Sequence, residues 1–196
     1  MVVNELVRDI VPSEFEGTTV TFINMPLRES ALPNTPPEGP LILAAILRNF
    51  GAETHIIDLN AYRIKDEAAM QRNLPNGRHL TYNEAEQMFL KHLHNVGDQD
   101  IVAFSGKITT LRWQEEMAKI VRRHQPEAFL VSGNGLATEI RMGLFNWIPE
   151  LDAIARSEGD DAILIIAKDA KLIKEKGWNG AINSGQLSPF YKGEIN

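Results

Sequence analysis

Five short β-branched or apolar runs recur along this chain, and each is followed by a stretch of helical composition. They are Thr18 to Met25, Glu53 to Leu59, Ile101 to Phe104, Ala128 to Val131 and Asp152 to Ala155. Runs of that length alternating with amphipathic helices predict parallel strands joined by helical crossovers. Such crossovers are right-handed and cover both faces of the sheet, which gives a three-layer α/β domain. The carboxyl ends of the strands then share one rim, and open sheets of this class bind ligands there. The turns after strands one, three, four and five are the places where chemistry is expected.

The helical segments agree with that frame. Fifteen residues from Pro26 to Pro40 hold five prolines and no periodicity, and loops of that length in compact domains usually carry function. Gly39-Pro40 opens a helix that is apolar on nearly every side from Leu41 to Phe50, so it must be covered both by the sheet and by something else. Thr81 and Glu84 form a capping-box pattern, followed by Ala85, Met88, Phe89, His92, Leu93 and Val96 on one face. Trp113, Met117, Ile120 and Val121 give the next helix its inward face. A fourth helix is expected near Thr138 to Trp147, and a fifth from Asp160 to about Lys176, stopped by Gly177.

The 196 residues suit one domain over 18–177, with a lead-in over 1–17 and a C-terminal hairpin or linker over 178–196. A net charge of −6 without any basic block argues against a nucleic-acid binder or a partner for anionic membranes. Cysteine is absent, which excludes disulfides, thiolate catalysis, cysteine zinc sites and iron–sulfur ligation. The longest apolar run, Leu41 to Leu47, is too short to span a bilayer, and a cytoplasmic location is expected.

The rim turns are rich in small and hydroxylic residues. Strand three stops on Ser105 and Gly106, with Lys107, Ile108, Thr109 and Thr110 beyond; either threonine would also serve as an ordinary helix cap. Strand four ends at Ser132-Gly133-Asn134-Gly135, and strand five at Arg156-Ser157-Glu158-Gly159-Asp160. There is no Walker loop, no Gly-x-Gly-x-x-Gly after strand one and no metal-ligand spacing among His55, His79, His92, His94 and His124. No nucleophile–base pair or carboxylate pair can be assigned. The chain does not read as a catalyst on its own.

Together these turns resemble a known family. Ser105-Gly106-Lys107-Ile108-Thr109 resembles the Ser-Gly-Leu-Ile-Thr turn in the cobalamin domain of methionine synthase. Pro36-Pro37-Glu38-Gly39-Pro40-Leu41, with Leu43 to Gly51, is similar to the Pro-Pro-x-Gly-Leu and Leu-Ala-x-x-Leu-Arg-x-x-Gly pattern of B12-dependent radical S-adenosylmethionine enzymes. Leu130 to Gly133 stands where that family has a Gly-Gly turn, and Asp152 to Asp160 resembles its Asp-x-x-x-x-Gly-Glu-Gly-Glu. The matches keep order and spacing over roughly Thr18 to Lys171.

The resemblance implies a flavodoxin- or Rossmann-like fold, five parallel strands in the order 2-1-3-4-5. It implies that Ser105 and Thr109 hydrogen-bond the lower base and nucleotide tail of cobalamin, with Gly106, Lys107 and Ile108 in the same turn. Gly133 would let the tail pass, Asn134 and Gly135 would flank it, and Glu158 and Gly159 would border its exit. Pro26, Leu27, Glu38 and Gly39 would lie near the corrin rim. The sequence departs from the family where Ser132 and Ser157 replace glycines, and Ser132 is expected to narrow the tail's path. No Asp-x-His-x-x-Gly follows strand one, so no protein ligand to cobalt is expected, and no Cys-x-x-x-Cys-x-x-Cys exists for a radical cluster.

The resemblance therefore implies a cobalamin-binding module or stand-alone subunit. It would present a base-off, His-off corrinoid to a separate radical S-adenosylmethionine enzyme, in methyl transfer or a similar reaction. The alternatives are a cobalamin-free structural or regulatory partner that retains the fold, or a flavin- or nucleotide-binding flavodoxin-like protein.

Overall fold

Each of the five apolar runs forms a strand, and every one is covered on both faces. The computed structural model describes residues 7–26, 36–61, 71, 80–156, 159–187 and 194–195. The strands are β1 (Thr19–Asn24), β2 (Glu53–Asp58), β3 (Ile101–Ser105), β4 (Phe129–Gly133) and β5 (Ala153–Ala155). All are parallel and ordered β2-β1-β3-β4-β5, the doubly wound arrangement. Helices α1 (Glu38–Asn49), α2 (Tyr82–Val96), α3 (Leu111–His124), α4 (Asn134–Ile140), α5 (Leu144–Trp147) and α6 (Asp160–Asn183) flank the sheet.

Alternation along the strands sends successive side chains into two separate cores. Val20, Phe22, Ala103, Val131 and Ala153 pack under α1 and α6 with Ala44, Leu47, Ile163 and Ile166. Ile23, Val102, Phe104, Leu130 and Ile154 pack on the other face against Phe89, Met117, Val121 and Leu136. The Thr81–Glu84 capping box is formed: Glu84 N donates to Thr81 Oγ1 at 3.3 Å and Thr81 N to Glu84 Oε2 at 3.0 Å.

Three segments differ from the sequence reading. The helix expected near Thr138 begins directly at Asn134, so Asn134-Gly135 is helix rather than turn, and it breaks at Arg141 (φ 56°) into a 3-10 turn and then α5. The last helix does not stop at Gly177. It kinks there (φ 67°, ψ 166°) and resumes to Asn183, a course that lets Trp178 stack on Phe129 with ring centroids 6.0 Å apart. The hairpin or linker expected over 178–196 is thus replaced, among the described residues, by this second helical segment and a two-residue strand, β6 (Glu194–Ile195), parallel to β5.

The lead-in also carries more structure than its composition suggests. Phe15 and Ile10 are buried, and Phe15 N donates to Phe50 O at 2.9 Å, closing the end of α1. This is part of the second cover that the apolar helix requires; α6 supplies the rest. Leu41 and Ile42 remain 40% and 54% exposed at the helix's first turns. Pro75-Asn76-Gly77 and His79 lie outside the described residues.

Candidate functional site

A slot of about 280 Å³ opens at the carboxyl edge, between the sheet and the first turns of α1 and α6. Its floor exists because β3, β4 and β5 all end on small residues on the same face: Ala103 and Ser105, Gly133, and Ala155. Its walls are apolar, with Phe22 and Val131 from the sheet, Leu43 from α1, and Ile163 and Ile166 from α6. An apolar cavity of roughly 150 Å³ is enough to hold benzene. This slot admits a larger flat group.

Two polar side chains reach it from the strand ends. Ser105 is paired in register with Gly133 on one side and Asn24 on the other, and its hydroxyl is buried. Asn134 Nδ2 donates to Ser105 Oγ at 3.1 Å, while Asn134 Oδ1 accepts from Gly135 N at 2.6 Å. A side chain at Gly133 would enter free space, since the nearest atom to its Cβ would be Phe104 O at 3.9 Å. Gly159 meets a different demand: a Cβ there would press on Leu43 at 3.1 and 3.2 Å, so glycine lets α6 approach α1. Asp160, in the first turn of α6, stands at the slot lining and offsets the positive end of that helix.

Of the residues singled out from the sequence, Gly39, Ser105, Gly133, Asn134 and Gly159 line the slot. Leu27 and Glu158 lie outside the described residues, as does Ser157. Pro26 is buried after β1, Glu38 is exposed at the start of α1, and neither reaches the lining. Gly106, Lys107, Ile108 and Thr109 form the turn above Ser105, with the last three exposed. Thr110 stabilises that turn: its Oγ1 accepts from Lys107 N at 3.0 Å and donates to Lys107 O at 2.9 Å. Gly135 opens α4 without lining the slot.

Ser132 is corrected in one respect. Its side chain does not face the slot, because alternation along β4 sends Val131 and Gly133 to that face and Ser132 to the other. There its hydroxyl is fully buried and donates to Gln114 Oε1 of α3 at 2.8 Å. Gln114 Nε2, also buried, has no hydrogen-bond partner among the described residues. The expected narrowing of the path by this hydroxymethyl group has no geometric basis.

Acidic and basic groups concentrate at the opposite, amino edge, and they serve the fold. Asp152 Oδ2 accepts from Arg122 Nη2 at 2.8 Å and from Leu130 N at 2.9 Å, while Arg122 also donates to the carbonyls of Pro126, Ala128 and Glu150. Asp100 accepts from Thr19 N at 2.9 Å and pairs with Lys174. Among the described residues no histidine lines the slot. His92 Nε2 lies 2.7 Å from Thr21 Oγ1, which donates to Gln99 Oε1 at 2.7 Å, so the ring must donate. Burial, and then the neighbouring His55, hold the His92 pKa below its ordinary value. Among the described residues no cluster of three metal-ligating side chains occurs, and no helix is long and apolar enough to cross a membrane.

No family model and no curated protein sequence matches the chain. Among solved structures, it is similar to the radical S-adenosylmethionine methyltransferase TsrM from Kitasatospora setae, determined with cobalamin and a 4Fe–4S cluster bound. The TM-score is 0.57 at 14% identity, over 80% of this chain and 24% of that one. The likeness is one of fold. This chain therefore spans about a quarter of the length of that methyltransferase.

Sequence reasoning missed most of the slot's walls. Phe22, Leu43, Val131, Ile163 and Ile166 look like any core residues in the sequence. One signal did exist: a helix apolar on nearly every side from Leu41 to Phe50 needed a second cover, and the slot lies beside its first turns.

Proposed function

We propose that this domain binds a corrinoid of the cobalamin type, with the lower base of its nucleotide tail in the slot beneath Ser105. The observation that carries the reading is the slot itself. Three adjacent strands end on small residues facing one apolar space large enough for a flat ring, with one buried hydroxyl at the strand ends. The fold shared with a methyltransferase solved with cobalamin supports the same reading. Ser105, Asn134, Gly133 and Gly159 would hold the tail, and the first turn of α1, with Gly39 and the exposed Ile42, would face the corrin. When bound, the corrinoid supplies a cobalt centre that can carry a methyl group.

A tail held in the slot would keep its base away from cobalt, and the sequence has no histidine between Thr18 and Thr54, which includes the loop after β1, so a bound cofactor would be base-off and His-off. The 196 residues hold no cysteine, so a radical cluster would lie outside them, on an S-adenosylmethionine enzyme or domain to which this domain would present its corrinoid. The alternative of a cobalamin-free scaffold draws on Ser132 and Ser157; the Ser132 side chain faces away from the slot, and Ser157 lies outside the described residues. Titration with hydroxocobalamin, followed by its absorbance, tests binding directly; no spectral change at saturating concentration would refute the reading. Electron paramagnetic resonance of the cob(II)alamin form tests the axial ligand. Nitrogen splitting that vanished on replacing a histidine would refute the His-off state.

A further inference from the structure

We propose that a groove at the amino edge of the sheet docks an arginine-bearing segment of a partner protein. The groove is separate from the slot, and the proposal does not depend on the corrinoid reading. It encloses about 720 Å³, against about 280 Å³ for the slot, between the feet of β3, β4 and β5 and the part of α6 around its kink. One wall is apolar. Phe129, Ile173 and Trp178 form it, with the Trp178 ring stacked on Phe129. Gly177 makes this wall possible, because its left-handed φ of 67° turns the chain so that Trp178 returns over β4.

The other wall is acidic. Four carboxylates line the groove, from Asp98, Asp100, Glu127 and Asp152, against two cations, Arg122 and Lys174. Arg122 is used up by the fold, since besides Asp152 it donates to three backbone carbonyls. Lys174 is held less firmly. Its side chain is 66% exposed while that of its partner Asp100 is 13% exposed, and pairs of that kind are worth little because a long side chain must be ordered to make them. Asp98 and Glu127 are exposed, and neither forms an ion pair among the described residues. The groove therefore fits an occupant with a cationic tip and a flat or apolar body. Guanidinium meets both demands: it stacks on an aromatic ring and pairs with carboxylates through a planar fork, which ammonium lacks. The acids are spread over the approaches to three strands, more than one side chain can span, so the occupant is a segment of chain. A partner seated there leaves the carboxyl rim uncovered.

Isothermal titration calorimetry with a short peptide of alternating arginine and alanine tests the proposal, beside its lysine and glutamate counterparts and free L-arginine. The arginine peptide should bind wild type more tightly than the lysine peptide does, and the glutamate peptide should not bind. Asp98→Lys combined with Glu127→Lys changes exposed positions only and should weaken the arginine peptide about tenfold or more. Lys174→Met removes the resident cation from Asp100 and should tighten it about two- to fivefold, the worth of a surface pair. Lys91→Met makes the same change of charge on α2, across the sheet, and should leave the affinity alone. Thermal melting checks that each variant folds. An arginine peptide that did not bind, or bound no better than the lysine peptide, would overturn the proposal. So would unchanged affinity in the double-lysine variant, or equal tightening by Lys91→Met, which would reduce the effect to net charge. Free L-arginine binding as tightly as the peptide would make the groove a small-molecule site instead. Self-association in sedimentation that the double-lysine variant abolished would make the occupant a second copy, and either result would also overturn it.

Discussion

Ser132 and Gly133 are neighbours in β4, yet they serve opposite faces of the sheet. On the face under α1 and α6, the strand ends present Ser105, Gly133 and Ala155 and leave a slot of about 280 Å³. On the face under α2 and α3, the same strands present Phe104, Ser132 and Ile154, all buried and packed. The period-2 alternation of a strand thus lets one short sequence hold a binding surface and its support side by side. The open face is built of what is missing from its side chains. The filled face is built of close contact, including a buried hydroxyl–amide bond between Ser132 and Gln114.

The sharpest way to break this contrast is to exchange open for filled. Gly133→Leu should extend into the slot and compete with the ring, because the nearest atom to its Cβ is 3.9 Å away. Corrinoid affinity should fall about ten- to hundredfold, the cost of an overpacked site, with the melting temperature held or raised. Ser132→Gly, one residue away, should not tighten binding at all and should lower stability. Affinity that improves in Ser132→Gly would show that the serine reaches the ligand after all.

A second, smaller effect belongs to the filled face alone. Ser132→Ala leaves Gln114 with both amide atoms unpaired in the core, and should cost about 1–3 kcal/mol of unfolding free energy. Gln114→Leu should cost less, since it removes one unpartnered donor while stranding the Ser132 hydroxyl. The double variant should recover most of the loss, because apolar groups then replace both partners. Urea unfolding of the four proteins gives the cycle, and additive losses would contradict a bond between them.

The difference between the faces also explains what the sequence could and could not disclose. Strands and their order follow from apolar runs, crossover handedness and the resemblance. Ser105, Gly133 and Gly159 stood out because small residues at strand ends are conspicuous. Ser132 was misjudged because one residue's shift in register reverses the face, and a turn was expected where β4 in fact continues through Gly133. Phe22, Ile163 and Ile166 were invisible as site residues, since an apolar wall of a slot and an apolar core have the same composition. The two-part α6 could not be read because Gly177 ordinarily signals a stop, and only the seat of Trp178 on Phe129 shows why the helix resumes.

Acid should weaken the filled face while leaving the open one intact. The Thr21 hydroxyl donates to Gln99, so it can take only a donated proton from His92 Nε2, which the neutral ring already supplies. Charging the ring therefore gains nothing at Thr21 and places a cation in a partly buried site beside His55, whose own partner is Glu53. With the folded pKa of His92 below its ordinary value, stability is full above about pH 6.5. It should be lost progressively as the pH falls through the lower, folded value. His92→Gln, which can still donate to Thr21, should flatten the melting-temperature profile between about pH 7 and pH 5. An equally steep profile in that variant would place the acid sensitivity elsewhere.

The smallest effect separates two adjacent threonines on the turn above the slot. Thr110 is buried and its hydroxyl both accepts from Lys107 N and donates to Lys107 O, so Thr110→Val should cost about 1–2 kcal/mol and loosen the turn that carries Ser105. Thr109 is exposed and outside the slot lining, although the resemblance assigned it a bond to the tail. Thr109→Ala should therefore move stability by no more than about 0.5 kcal/mol, as surface substitutions do, and should leave hydroxocobalamin affinity within about twofold. If Thr109→Ala instead lost hydroxocobalamin binding, the tail would have to leave the slot on the side of the 3-10 turn. Binding would then span the rim rather than one face, and the division between an open and a filled face would no longer describe the site.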